Sequence, residues 1–259
     1  MNVFIGLDVS LASTAICVLG PQGRIVEELQ AESEPEALVR AIASLSYSID
    51  AIGLEAGPLS QWLSKGMEEA GFDVVMMETR LVKAALKAMP IKTDRRDAQG
   101  IARLLQMGWY RPVHRKSVSS QEIRALLSAR KSIQQAIINL ELSMRGVLRN
   151  FGMKLGHVTR IRYEARVREL VEQNEILSAS TEALLRARSQ LRAELADLDA
   201  KIAGLAKHDD VCRLMMTMPG VGPIVALTVK SAIDDPTRLA RSKDVGPLSL
   251  IHISEPTRP

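Results

Sequence analysis

The longest uninterrupted pattern in the sequence is helical and runs from about Ser119 to Lys207. This stretch contains no proline, its apolar residues recur at three- and four-residue spacing, and charged residues fill the gaps. Residues 121–151 and 181–207 each read as one long amphipathic helix, with a less regular segment at 152–158. The pattern predicts a helical hairpin or coiled-coil arm over residues 118–208, whose leucine stripe forms core or contacts a partner helix.

The first part of the chain has a different texture, in which short apolar runs are interleaved with helical patterns. Five runs read as strands: residues 3–9, 15–20, 24–32, 51–57 and 72–78. A helix ending at Gly71 separates the last two, and further helices are predicted at 79–89 and from Asp94. This order predicts an α/β layered domain over residues 1–117, with its first three strands in an antiparallel meander.

A third segment, residues 209–246, reads as a small, partial all-α domain. Its second half begins PGVGPIVALTV at Pro219. Gly220 and Gly222 resemble the turn of a helix-hairpin-helix unit, where glycines let backbone N–H groups approach a phosphate at a helix start. The alternative is a tight turn between two packed helices that binds no ligand.

Charge is distributed very unevenly along the chain. Residues 1–78 contain 3 Lys/Arg and 12 Asp/Glu, which gives a net charge of −9. Residues 79–170 contain 20 Lys/Arg and 6 Asp/Glu, which gives a net charge of +14. Residues 171–259 are nearly balanced, at −1. A strongly basic middle favours contact with a polyanion, most readily nucleic acid, although a solvated helical surface is the alternative. The 3% aromatic content argues against a base-stacking platform.

The cysteines and the apolar runs bear on the cellular compartment. Cys17 and Cys212 are far apart and show no metal-ligand spacing, which predicts reduced thiols and a cytoplasmic protein. No apolar run approaches the roughly 18–20 residues of a membrane span, and the first ten residues lack a basic secretory lead.

Four acidic residues occupy positions that favour a metal site. Asp8 and Glu55 each end an apolar strand pattern, and Asp94 and Asp97 share one face of the first turn of a helix. Four carboxylates at one edge of a sheet repel one another unless divalent cations neutralise them, and Mg²⁺ prefers such hard oxygen ligands. The pattern therefore predicts a site for two Mg²⁺ ions suited to phosphoryl transfer. Alternatively, Asp94 and Asp97 only complement the helix dipole, and Asp8 only caps a turn.

These residues carry a resemblance to a known family. FIGLDVS around Asp8, GLEAGP around Glu55 and KTDRRDA with Asp94 and Asp97 match the acidic tetrad of the DEDD transposases, the insertion-sequence one-ten family related to Piv-type DNA invertases. MPGVGPIVALTV and the basic helical arm are also similar to the family, so the resemblance covers about residues 1–246. It implies an RNase H/RuvC-like first domain and a magnesium-dependent DNA recombinase.

The family resemblance also implies partners. It implies DNA (element ends and target), a guide RNA, a homo-oligomer (dimer or tetramer) and a nucleoid-associated place in the cytoplasm. The residues expected to contact DNA or RNA are these: Lys92, Arg95, Arg96, Arg103, Gly220 and Gly222. The alternative for the cations is an exposed, solvated helix start.

The last residues, 247–259, depart from the family pattern. The family continues to a serine that attacks a DNA phosphate, but Ser249 and Ser254 stand in no matching motif, and neither is assigned as the nucleophile. LSLIHISEPTR back-translates into a string that resembles a sequencing-library adapter, so residues 247–259 are interpreted as a non-native tail. Metal binding and hydrolytic nicking are then expected to survive, but complete strand exchange is not.

Two other functions fit the same residues. A nuclease of the Holliday-junction-resolvase type would use a metal-activated water and would need no serine. A non-catalytic nucleic-acid-binding protein would use the basic arm alone and would bind no Mg²⁺ at the carboxylates.

Overall fold

The computed structural model describes residues 2–87 and 93–239. The chain forms two compact units that divide between Lys116 and Ser117. The predictions for Lys92 and for residues 247–259 fall outside the described residues.

The first unit is built on a five-stranded mixed sheet, in the order β3-β2-β1-β4-β5. The first three strands pair antiparallel as a meander, and β4 and β5 run parallel to β1. The predicted α/β class is therefore confirmed. The strands are β1 (Asn2–Val9), β2 (Ser13–Leu19), β3 (Ile25–Glu32), β4 (Ser48–Glu55) and β5 (Val74–Met77).

Alternation along the strands gives the sheet two different faces. One face carries the large apolar side chains, such as Ile5, Leu7 and Leu54, all fully buried. The helices α1 (Pro35–Ala43) and α2 (Ser60–Glu69) cover this face with residues such as Leu38 and Leu63, which complete the largest core of the chain.

The opposite face carries small residues and is covered by α4 (Asp94–Gln106), with α3 (Thr79–Lys87) beside it. Ala98 and Ala102 of α4 pack against Ala15, Cys17 and Leu19 of β2. Because the residues in contact are small, the helix lies close to the sheet, which fixes its position along β1.

The second unit is helical. Its two longest helices have 33 residues each, about 50 Å at 1.5 Å per residue. Both begin earlier than the periodicity indicated, because Ser117 and Asn174 cap the backbone N–H groups of Ser120 and Leu177. The helices are α5 (Val118–Asn150), α6 (Tyr163–Val171), α7 (Glu175–Lys207), α8 (Asp210–Met215) and α9 (Pro223–Ile233), followed by a short 3₁₀ turn (Pro236–Arg238).

The helix α9 packs against both α5 and α7. Its buried residues Ala226 and Leu227 join Ile202, Ala206 and Cys212 in one apolar cluster. The predicted arm and the predicted third segment thus lie in one compact unit, while supercoiling of the long helices stays a prediction. In the described ranges, 2–87 and 93–239, no helix has both the length and the apolar character needed to cross a membrane.

Candidate metal centre

A four-residue pattern occurs twice in the sheet, as IGLD at residues 5–8 and IGLE at residues 52–55. The two copies lie side by side on the parallel strands β1 and β4, with Gly6 opposite Gly53 and Leu7 opposite Leu54. The acidic residue of each copy takes the next position. Asp8 and Glu55 therefore stand on neighbouring strands near the carboxyl ends of β1 and β4.

The alternation of the strands decides which way these two acids face. Leu7 and Leu54 point into the large apolar core. Residues two positions apart share a face, so Gly6 with Asp8, and Gly53 with Glu55, belong to the face that α4 covers. Asp8 is half-buried and the Glu55 side chain is 25% exposed.

Contacts at both ends of α4 establish its direction across this face. A Cβ atom added to Gly6 would lie 2.1 Å from the Ala98 carbonyl oxygen and 2.4 Å from the Ala102 nitrogen. At the other end, Gln106 Nε2 donates to the Gly20 carbonyl in the β2–β3 turn, 2.9 Å away. The helix thus runs from the carboxyl end of β1 towards its amino end.

The first turn of α4 holds the second pair of acids. Thr93 caps the helix, because its hydroxyl accepts a hydrogen bond from the Arg96 backbone N–H at 3.3 Å. The Thr93 carbonyl accepts a second one from the Asp97 backbone N–H at 2.9 Å. Asp94 is exposed and Asp97 is half-buried. Carboxylates are favoured here by the positive end of the helix dipole.

The standard rise per residue of a helix and of a strand places both pairs of acids at the same edge of the sheet. Asp94 precedes Ala98 by four residues, or about 6 Å along the helix. Asp8 follows Gly6 by two residues, or about 7 Å along the strand. Both displacements point to the carboxyl edge of β1 and β4. Across residues 2–87 and 93–239, however, no three Asp, Glu, His or Cys side chains approach closely enough to hold a metal ion.

Two further residues at this edge escaped the sequence prediction. Lys83 Nζ, on α3, lies 3.9 Å from Glu55 Oε1 and its side chain is 72% exposed, so the ion pair is weak. Glu78 follows β5 directly and pairs with Arg111 at 3.8 Å. The signal for Glu78 was available, because it ends the apolar run FDVVMME as Glu55 ends its own run. No sequence signal marks Lys83.

The predicted nucleic-acid-binding cations divide into two positions. Arg95 and Arg96 are exposed in the first turn of α4, beside the acidic pair. Arg103 is exposed about 9 Å further along the helix from Asp97. Burial is the main cause that raises the pKa of the nearby Cys17 thiol to about 11, so this group stays protonated near neutrality.

The predicted glycines Gly220 and Gly222 lie in the turn before α9. Gly220 has a φ of 82°, which favours glycine, and Gly222 is the N-cap of the helix, with Pro223 following. Among residues 2–87 and 93–239, apart from the adjacent residues of the chain, no heavy atom lies within 4 Å of a Cβ added at either glycine. The turn therefore has an open outer side, and its contact with a phosphate stays a prediction.

Together these features define an α/β domain with an acidic sheet edge, joined in sequence to a basic helical unit. A sequence model of the IS110-type DEDD transposases, described as "Transposase", matches residues 5–153, which is more than half of the chain and includes all four acids. The chain belongs to this transposase family. The resemblance inferred from the sequence motifs is thereby confirmed.

Named relatives agree with the family assignment. The transposase for insertion sequence element IS1111A of Coxiella burnetii is 25% identical over 249 residues, which cover 93% of this chain. The y4qE protein of Sinorhizobium fredii is 27% identical over 140 residues, or 52% of this chain. The chain spans 66% of the length of the first relative, and the match covers 36% of the second.

Solved structures give weaker similarity. Thermus thermophilus RuvC matches 43% of this chain and 99% of its own, with 16% identity and a TM-score of 0.33. The same protein in complex with a Holliday junction substrate matches with a TM-score of 0.30. This similarity is too low to transfer any residue's role to the present chain.

Proposed function

We propose that this chain is the DNA-processing part of an insertion-sequence transposase, with an RNase H/RuvC-like first unit. Its active centre would consist of Asp8, Glu55, Asp94 and Asp97, the four acids that match the family tetrad. The observation that supports this most is the crossing of α4 over Gly6, because it brings the helix start to the sheet edge where Asp8 and Glu55 end their strands.

The donor set fits magnesium, since all four side chains offer hard carboxylate oxygens. Their spacing in this structure does not yet form a group of three ligands. Like-charged carboxylates repel one another, and Asp8, Glu55, Asp94 and Asp97 would hold two Mg²⁺ ions that neutralise this repulsion. Bound Mg²⁺ would neutralise negative charge on the scissile phosphate and on the attacking and leaving oxygens.

The chain's own cations would position the nucleic acid at this edge. Arg95 and Arg96 lie in the same helical turn as the acidic pair, and Lys83 already contacts Glu55. Arginine binds phosphate through two parallel N–H donors, and a nearby lysine adds a point charge. Arg103, exposed further along α4, would extend this basic surface, and Lys92 is also proposed to contact nucleic acid. The contacts would be to the backbone and therefore independent of sequence.

The partners follow from the family. We propose DNA ends and target DNA as substrates, a guide RNA and a second copy of the chain as partners, and the bacterial nucleoid as the location. No side chain of this sequence is assigned as the nucleophile, because Ser249 and Ser254 match no family motif. Metal-dependent cleavage of DNA strands is the activity that we propose for the four acids of this chain.

Titration of the protein with Mn²⁺, in place of Mg²⁺, tests the proposed centre. Asp8→Asn and Asp97→Asn each remove one carboxylate from a different element, and each is expected to weaken Mn²⁺ binding at least about tenfold. The matched control is Asp73→Asn, because Asp73 is an exposed acid just before β5, at the opposite edge of the sheet. Its binding should equal that of the wild type.

The opposite result has a clear meaning. Unchanged Mn²⁺ binding in both Asp8→Asn and Asp97→Asn would contradict the metal centre. It would favour a nucleic-acid-binding protein that uses its basic surface alone.

A further inference from the structure

The basic charge of the second unit is concentrated at the end of α5 and in the loop after it. Residues 142–163 contain no Asp or Glu at all. The same stretch contains five cations, at Arg145, Arg149, Lys154, Arg160 and Arg162. A run of 22 residues without a carboxylate leaves these cations without a neutralising partner in their own segment.

Part of this segment lines an open pocket of about 460 Å³. Its lining contains two guanidinium groups, one ammonium group and one imidazole, and no carboxylate. The residues are Arg145, Arg149, Lys154, Leu155, Gly156 and His157. A pocket with cations on several sides and no internal acid fits an anion.

The loop that forms the wall is anchored rather than loose. Leu155 is buried in the apolar cluster that contains Met144 and Leu148. Gly152 has a φ of 73°, which reverses the chain after α5, and the Met153 N–H donates to the Leu148 carbonyl at 3.0 Å. The cations of the loop are therefore held on a fixed scaffold.

Arg145 is oriented in advance. Its Nη1 donates to the Gly156 carbonyl at 3.0 Å, and its guanidinium carbon lies 6.0 Å from the centre of the Tyr163 ring. Other arginines of the unit serve ion pairs between helices: Arg130 with Asp199, Arg168 with Glu182, and Arg188 with Glu141. The pocket cations have no acid in the lining to bind.

We infer that this pocket binds a backbone phosphate of nucleic acid. A guanidinium fork and a nearby ammonium suit a phosphate diester, and the lining contains no Phe, Tyr or Trp. The ligand's identity as nucleic acid rests on the proposed function, whereas the anion site rests on the geometry of the loop. The site belongs to the helical unit and needs no divalent metal.

Salt-dependent binding of the full chain tests this inference. Fluorescence anisotropy would measure the binding of the chain to a labelled 30-base-pair DNA duplex of random sequence and, separately, to a labelled RNA hairpin. EDTA is present throughout, so that the carboxylate centre holds no metal. The variant Arg149→Ala/Lys154→Ala removes two exposed cations and leaves the Arg145–Gly156 hydrogen bond in place.

Arg149→Ala/Lys154→Ala should make the negative slope of log affinity against log salt concentration shallower by about 2. It should also weaken binding about tenfold near 0.15 M salt. A control, Arg186→Ala/Lys201→Ala, removes two exposed cations from α7 of the same unit. It should leave the slope unchanged. Circular dichroism would be used to check that both variants are folded.

The outcomes separate the two ligands and the two proposals. A loss on both probes, or on only one of them, supports the inference and identifies the nucleic acid that is bound. Equal slopes for the pocket variant and the control would overturn it. The charge reversal Arg149→Glu/Lys154→Glu must weaken binding further. Because EDTA is present, failure of the Mn²⁺ centre would not alter this result.

Discussion

The two units of the molecule place their charged groups in opposite ways. In the described part of the sheet unit, the buried polar side chains are hydroxyls: Thr14, Ser33, Ser60 and Ser64. The acids of that unit that match the family tetrad stand near strand ends and in the first turn of a helix instead, at Asp8, Glu55, Asp94 and Asp97. In the helical unit an arginine, Arg188, is 2% exposed and sits in the middle of the packed helices.

Arg188 connects three helices. Its Nε donates to Glu141 Oε1 on α5 at 2.7 Å, and its Nη1 donates to Glu164 Oε1 on α6 at 3.1 Å. Its guanidinium carbon lies 4.4 Å from the centre of the Tyr163 ring. A buried charge with two carboxylates and a ring face is satisfied, and it fixes the register of α7 against its neighbours.

The difference shows which charges are available for function. The sheet unit is held by apolar packing, and the metal role proposed for it rests on carboxylates at the edge of the sheet rather than in its core. The helical unit uses many of its charges to hold helices together. The acid-free pocket after α5 stands apart within that unit, because its lining contains cations and no carboxylate.

The largest expected effect is on the buried arginine. Arg188→Met removes the buried guanidinium from Glu141 and Glu164, which are only partly exposed and keep longer ion pairs with Arg192 and Arg168. The loss of two charge-assisted hydrogen bonds should lower the free energy of unfolding by about 3 kcal/mol. Urea unfolding followed by circular dichroism measures it. The exposed neighbour Arg186→Ala should change stability by less than about 0.5 kcal/mol. A similar small change for both variants would show that Arg188 does not hold the helices together.

A smaller effect is expected where α4 crosses the sheet. Gly6→Ala puts a methyl group against backbone atoms of α4, so the helix must shift, at a cost of about 1–3 kcal/mol. Gly53→Ala meets the end of the flexible Met77 side chain and should cost less. If α4 positions the acids, Gly6→Ala should also weaken Mn²⁺ binding more than Gly53→Ala does. If the two variants bind Mn²⁺ with equal affinity, the position of α4 does not determine metal binding.

The smallest effect concerns the start of α8. Asp209 caps the Cys212 N–H at 2.9 Å and pairs with Lys230 on α9. The hydrogen bond from Lys230 is the main cause that lowers the Asp209 pKa below its ordinary value of 3.8. Its stabilisation is therefore complete above about pH 4 and is lost as the pH falls through the lowered pKa.

Asp209→Asn keeps a side chain that can cap α8 but loses the charge that pairs with Lys230. It should lower the free energy of unfolding by about 0.5–1 kcal/mol at pH 7 and reduce the loss of stability below pH 4. Urea midpoints at pH 7 and pH 3 measure both effects. If the variant loses as much stability between pH 7 and pH 3 as the wild type does, other carboxylates cause the pH dependence.

Much of the sheet unit was predictable because strand periodicity and turn residues are local signals. The five strands, the helix ending near Gly71 and the edge positions of Asp8 and Glu55 follow from them. The pairing of IGLD with IGLE was not anticipated, although the repeat is visible in the sequence. Recognising it requires knowing that β1 and β4 are neighbours, which depends on contacts between distant residues.

Other features depend on packing that a single sequence does not encode locally. The helix α6 is only nine residues long and is defined by Tyr163 and Val167 entering the cluster between the long helices. Lys83 reaches Glu55 because α3 turns back at the sheet edge after β5. The four acids were expected as one site, and the structure brings them to one edge without closing a ligand set.

The central claim is that acids from β1 and from α4 belong to one metal centre, and a double-mutant cycle tests it most directly. Mn²⁺ affinity is measured for the wild type, Asp8→Asn, Asp97→Asn and the variant that carries both substitutions. A shared centre predicts that the double variant loses little more affinity than either single variant. If the two losses simply add, the acids act independently and the single centre is contradicted.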